Sequence, residues 1–171
     1  LLDEATAAAE AMMLAKRVSK NKSNTFFIDK NCFKQTIAVI QTRAKPFGVD
    51  LEIGDPQDFD KKDFFGMLVQ YPNRFGNIGE FSELSDYCKK NKSLLVCATD
   101  LLALALLKPP GEIGADIVVG SSQRFGVPMG FGGPHAAFMA THERFQRSMP
   151  GRIIGASKDA SGNLSYRLAL Q

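Results

Sequence analysis

Apolar residues recur along this chain in two alternating rhythms, one near 3.6 residues and one of short unbroken runs. Residues 5–20 are alanine-rich, with Asp3 and Glu4 ahead of them and Lys16, Arg17 and Lys20 at their end. That places acids at the positive end of a helix dipole and bases at the negative end, and predicts a helix. Residues 25–29 form a short β-type run. Residues 34–45 carry Ile37, Ile40 and Ala44 at helical spacing and stop before Pro46 and Gly48. Residues 50–53 and 65–71 read as strands, the second a buried one. Residues 78–91 read as an amphipathic helix with Phe81, Leu84, Tyr87 and Cys88 on one stripe, and 94–98 as another apolar strand. Continuous apolar strands alternating with helices predict an α/β fold: a mostly parallel sheet with helices on both faces.

Past Asp100 the rhythm changes. Residues 101–107 are a short apolar segment halted by Lys108-Pro109-Pro110-Gly111, and 115–119 make one more strand. A long loop from Gly120 to Pro134 follows, then a strand at 136–141, a helical turn at 143–148, and a turn at 158–163 between two extended pieces. No internal repeat or linker interrupts the 171 residues, which read as one domain whose two ends both look cut.

Composition narrows the function classes. With 44% apolar and 23% charged residues the chain is ordinary globular material. A net charge of +3 with acids and bases interleaved is too mild to imply a nucleic-acid partner, and the local basic group Arg144, Arg147 and Arg152 reads as a solvated or interface face. No apolar run reaches the roughly 18 residues needed to span a bilayer by helix. Cys32, Cys88 and Cys97 form an odd set without a C-x-x-C pair, so neither a disulfide framework nor a zinc knuckle is expected, and a reducing compartment fits. His135 and His142 are seven residues apart and do not share a helical face as a metal pair would.

The glycine-rich loop fails as a dinucleotide fingerprint. That motif opens a helix, whereas here Pro128 and Pro134 bracket the glycines and the residues that follow are β-like. No Gly-Lys-Ser/Thr follows, which excludes a P-loop. A tight crossover, in which glycine serves backbone geometry, is the plain alternative.

Several stretches carry a family resemblance: residues 2–12, Gln35-Thr36-Ile37-Ala38-Val39, Ala98-Thr99-Asp100-Leu101-Leu102-Ala103-Leu104, Pro109-Pro110-Gly111-Glu112, residues 120–135 with the run Gly-Ser-Ser-Gln-Arg-Phe-Gly-Val-Pro, Pro150-Gly151-Arg152, and Tyr166-Arg167-Leu168-Ala169-Leu170-Gln171. Together they resemble the N-terminal half of glycine decarboxylases, the P-proteins of the glycine cleavage system. The resemblance covers essentially the whole chain.

The resemblance implies the large-domain fold of type I pyridoxal-phosphate enzymes. It also implies that the family has two related halves, each with that fold, either fused or carried on two subunits, of which only the C-terminal half binds the cofactor. It implies a parent that decarboxylates glycine on pyridoxal phosphate and passes the aminomethyl group to the lipoyl H-protein. Implied partners are the catalytic half and the H-protein, in a dimer or heterotetramer, located in the mitochondrial matrix if eukaryotic and in the cytoplasm if bacterial. No catalytic residue and no bound cofactor are expected in this segment.

Vestigial-site positions carried over by the resemblance are Thr6, Phe33, Asp100, Ser122, Gln123 and Arg124. An imine with the cofactor aldehyde requires a lysine amine, and the corresponding loop offers Gln123 or Arg124. A phosphate needs small hydroxyl or amide donors at a helix N-terminus, where this chain offers Asp3 and Glu4, expected instead to act as helix caps. Phe33 stands where the active half stacks a histidine on the cofactor ring. Asp100 stands where type I enzymes pair an aspartate with the pyridinium nitrogen, although it could equally cap the turn that follows. Lys108, fixed on a turn by two prolines, is a poor Schiff-base lysine. The rival readings are a self-contained pyridoxal-phosphate enzyme with an atypical lysine and a non-enzymic nucleotide-binding module. Uncovered apolar faces are a further expectation, with poor solubility or self-association as their consequence.

Overall fold

A computed structural model describes residues 1–128, 130, 131, 133, 135–151 and 154–168, with Lys61 by its backbone alone. Pro134, Arg152 and residues 169–171, which figured in the sequence pattern, lie outside the described residues.

Six strands form one sheet in the order β2-β1-β3-β4-β5-β6. They are β1 (Thr25–Asp29), β2 (Asp50–Gly54), β3 (Gly66–Tyr71), β4 (Leu94–Asp100), β5 (Ile117–Ser121) and β6 (Ala137–Thr141). The first five run parallel, and β6 returns antiparallel beside β5. A separate antiparallel hairpin, β7 (Ile154–Lys158) with β8 (Leu164–Leu168), completes the strands.

Helix α1 (Glu4–Val18) and helix α2 (Lys34–Ala44) share one face of the sheet. Alternation along the strands sends Phe26, Ile28, Leu68, Val96 and Ile117 into that layer. Six buried alanines of α1 let its backbone approach the sheet closely. Helix α3 (Ser82–Lys90) and the one-turn α4 (Pro110–Ile113) cover the other face, where Phe27, Met67, Val69, Leu95 and Cys97 meet Leu84 and Cys88. The doubly covered, mostly parallel sheet is the architecture the apolar rhythm predicts.

Three local details differ from the sequence reading. Helix α3 begins at Ser82 rather than near residue 78, because the Glu80 carboxylate takes the Ser82 N–H at 3.1 Å and Phe81 turns edge-on to Tyr71, 6.0 Å between centroids. Pro110, read as part of a stop, opens α4: proline suits a first helical position, where its missing N–H has no intrahelical partner. A 3₁₀ stretch at Pro56–Lys61, carrying no apolar period, was not foreseen.

From β1 the chain reaches β2 through α2 on one face, and from β3 it reaches β4 through α3 on the other. The direction of strand addition therefore reverses between β1 and β3. In open α/β sheets, ligands bind beyond the carboxyl ends of the strands near such a reversal.

Candidate functional site

The carboxyl edge gathers Asp29 at the end of β1, Gln70 near the end of β3, Asp100 at the end of β4 and Ser121 at the end of β5. Helix α1 starts over the same edge, tied to β6 by the Ala137 N–H to the Leu2 carbonyl at 3.4 Å. Between them lies an open cleft of about 210 Å³ whose lining includes Asp3, Glu4, Phe33, Ser121, Gln123 and His135.

Two adjacent carboxyls at the α1 N-terminus behave differently, which corrects the expectation that both act as charged caps. Asp3 is the N-cap: its Oδ1 accepts the Thr6 N–H at 2.7 Å, and the Thr6 hydroxyl accepts the Asp3 N–H at 3.1 Å. The Thr6 N–H holds the Asp3 carboxyl below its usual range. Thr6, a vestigial-site candidate, is thus consumed by the cap. Glu4 sits over the sheet, and burial pushes its carboxyl up to about 7, with the Asp100 and Asp3 charges adding to the rise and the Gln70 side chain opposing it. Gln70 is itself 2% exposed, and its Oε1 has no hydrogen-bond partner among the described residues. Only Asp3 is a full anion near neutral pH.

The three loop candidates following β5 separate. The Ser122 hydroxyl donates to the Ala136 carbonyl at 2.9 Å and so closes the loop onto β6. Gln123 lines the cleft. Arg124 reaches across to pair with the Asp100 carboxylate. The other oxygen of Asp100 accepts the Leu102 N–H at 3.0 Å, so the turn-capping role and the ionic role coexist in one side chain. Gly126, at φ +119°, ends the 3₁₀ turn Gln123–Phe125 in a left-handed conformation that a β-carbon would strain, in keeping with glycine serving backbone geometry there.

Phe33 stands at the start of α2 and lines the cleft. Lys108 is exposed on the turn before α4, where its charge acts on Glu80, and it does not line the cleft. Among the described residues no lysine lines the cleft. His135 is a cleft residue that sequence reasoning considered only as a metal ligand. Its signal was position: it follows the glycine loop and immediately precedes the strand that returns to this edge. His142 lies at the other end of β6, with Nε2 3.5 Å from Asp116, so the two histidines do not meet. Among the described residues no group of three or more His, Cys, Asp and Glu side chains is placed to hold a metal. Arg144 also turns to Asp116, at 3.3 Å, and all three cysteines are free and buried. No helix among the described residues is long and apolar enough to cross a membrane.

Comparison with known proteins decides the family. The model of the glycine cleavage system P-protein family matches residues 1–171. The chain belongs to the glycine cleavage system P-protein family. It is 60% identical over 171 residues to a glycine dehydrogenase (decarboxylating) of Dechloromonas aromatica (strain RCB), covering all of this chain and 18% of that protein. It is 58% identical, with the same coverage, to glycine dehydrogenase (decarboxylating) 2 of Pseudomonas fluorescens (strain Pf0-1). The chain therefore spans about a fifth of the length of these relatives.

Among solved structures, a glycine decarboxylase (P-protein) of the glycine cleavage system, in inhibitor-bound form, superposes with a TM-score of 0.85 at 32% identity, over 100% of this chain and 40% of that one. Cystathionine gamma synthase from Xanthomonas oryzae pv. oryzae superposes at 0.65 with 16% identity, over 86% of this chain and 39% of that one, a likeness of fold alone. The fold of this P-protein segment is that of type I pyridoxal-phosphate enzymes, as the sequence resemblance implied.

The described residues of the cleft do not fit pyridoxal phosphate. An aldehyde cofactor needs an amine within reach, and none lines the cleft. The α1 N-terminus that would face a phosphate carries anionic Asp3 and, next to it, the carboxyl of Glu4. Asp100, the carboxylate available to a cationic ring nitrogen, is already matched by the guanidinium of Arg124.

Proposed function

We propose that this chain is a structural and interface-forming part of a glycine dehydrogenase (decarboxylating). Its parent decarboxylates glycine with pyridoxal phosphate and transfers the aminomethyl group to the lipoyl H-protein. The catalytic lysine and the cofactor belong to a different part of the parent, and this segment supplies scaffold and contact surface. The family match over residues 1–171 and the names of relatives 56–60% identical support the parent activity. One observation carries the division of labour: Arg124 of this chain holds Asp100, so the site neutralises its own carboxylate with a permanently charged side chain that cannot form an imine.

The test is covalent trapping. The parent protein is incubated with pyridoxal phosphate, reduced with borohydride, digested and mapped by mass spectrometry. The expected pyridoxyl-lysine lies outside residues 1–171. A stoichiometric label on Lys108, or on any lysine of this segment, refutes the division.

A further inference from the structure

The β7–β8 hairpin is amphipathic, and its sides are reversed from those of an ordinary surface hairpin. Register pairs Ile154 with Leu168, Ala156 with Tyr166 and Lys158 with Leu164, so these six side chains share one face. Gly155, Ser157, Ser165 and Arg167 share the other. The polar face is the one partly covered, since Gly155, Ser157 and Ser165 are half-buried. On the apolar face Ile154 is 58% exposed, Leu164 68%, Tyr166 70% and Leu168 52%. The face is preformed: Asp159 Oδ1 accepts the N–H groups of Ser161 at 2.8 Å and Asn163 at 2.9 Å, and Gly162, at φ +87°, completes the turn.

A two-stranded hairpin has little stability of its own and normally gains it by burying an apolar face. Here that face looks outward, so a second layer is required to make the arrangement favourable. The four large side chains present on the order of 400–500 Å² of apolar surface, enough to mark a contact site. That is about half of the roughly 800 Å² per partner found in a stable interface. Two copies meeting through this face alone would therefore associate weakly. A layer in the same polypeptide avoids the cost of bringing two molecules together, so a small face suffices. The relatives supply the material, because this chain spans only 18% of their length.

We propose that the apolar face of the β7–β8 hairpin is an internal docking surface, covered in the full-length protein by an apolar helix or sheet layer of the same polypeptide from outside residues 1–171. The proposal rests on the chain being part of a longer P-protein and is independent of where the cofactor binds.

Hydroxyl-radical footprinting of the unsubstituted full-length protein tests it, with oxidation at Tyr166 read by mass spectrometry as a ratio of native to urea-denatured rate. A tyrosine left 70% exposed gives a ratio of about 0.7. Coverage by a packed layer lowers it below about 0.2 at every protein concentration. A ratio near 0.7 overturns the proposal, and so does protection that disappears on dilution to the monomer, which would assign the cover to a second molecule. A pyridoxyl label found within residues 1–171 would overturn the division of labour above without touching this result.

Discussion

Replacing Glu4 with glutamine should stabilise the chain at neutral and alkaline pH and leave it nearly unchanged below pH 4.5. The Glu4 carboxyl rises from 4.5 to about 7 in the folded chain because the sheet and α1 remove it from water and because Asp100 and Asp3 repel its charge. The folded state therefore keeps a proton that the unfolded chain releases between pH 4.5 and 7. The stability this proton provides is complete below pH 4.5 and is lost as pH rises through 7. At 1.36 kcal/mol per pH unit the displacement corresponds to an upper limit of about 3 kcal/mol. Residual solvent contact and the favourable helix dipole at the α1 N-terminus reduce this, so about 1–2 kcal/mol is expected. Glutamine keeps the size and hydrogen-bonding capacity beside Gln70 and cannot ionise. Urea denaturation of the parent chain and of Glu4→Gln at pH 5, 6, 7 and 8 gives the difference directly, with all other titrating groups common to both proteins. The variant should gain progressively from pH 5 to pH 7 and level off by pH 8. A difference that stays constant across the series, or one that favours glutamate at pH 8, would refute the burial and repulsion assigned to this carboxyl.

Three further outcomes follow from the geometry. Arg124→Met removes the cation from Asp100, but the Arg124 side chain is largely exposed and Asp100 keeps the Leu102 N–H, so thermal melting should report a loss under about 1 kcal/mol. Titration of the variant parent protein with pyridoxal phosphate should show no binding beyond that of the unsubstituted parent, and an additional tight site would mean that Arg124 alone had excluded the cofactor. Gly120→Ala should cost at least about 3 kcal/mol in urea denaturation, because a β-carbon there would lie 2.2 Å from the Thr99 carbonyl oxygen and 2.9 Å from the Phe138 ring, in the strand packed between β4 and β6. Gly111→Ala, with open space around it in α4, should be neutral or stabilising by up to about 1 kcal/mol.

The residue pattern by itself determined the secondary elements and the class of fold, because both depend on short-range periodicity. Strand β1 falls at residues 25–29 as read, and α1, α2 and β2 to β5 fall within a few residues of their expected places. Alternation along Phe26, Phe27 and Ile28 already implies two covered faces, since every position in such a run is apolar. The motif resemblance reached the family, and with it the candidates Phe33, Asp100, Gln123 and Arg124 at one edge. What the tertiary structure decided is non-local. The antiparallel return of β6 carries no signal in its own residues, yet it brings His135 into the cleft. Asp3 and Glu4 are indistinguishable as an acidic helix entry, and only the packing of α1 over the sheet leaves one charged and pushes the other to about 7. Asp100 and Arg124 are 24 residues apart, and their pairing needs neighbouring strand ends at the same height. The outward apolar face of the hairpin depends likewise on which side the rest of the fold leaves open. Period and propensity act within a few residues of sequence, whereas burial, charge neutralisation and sidedness depend on what the folded chain places next to each residue.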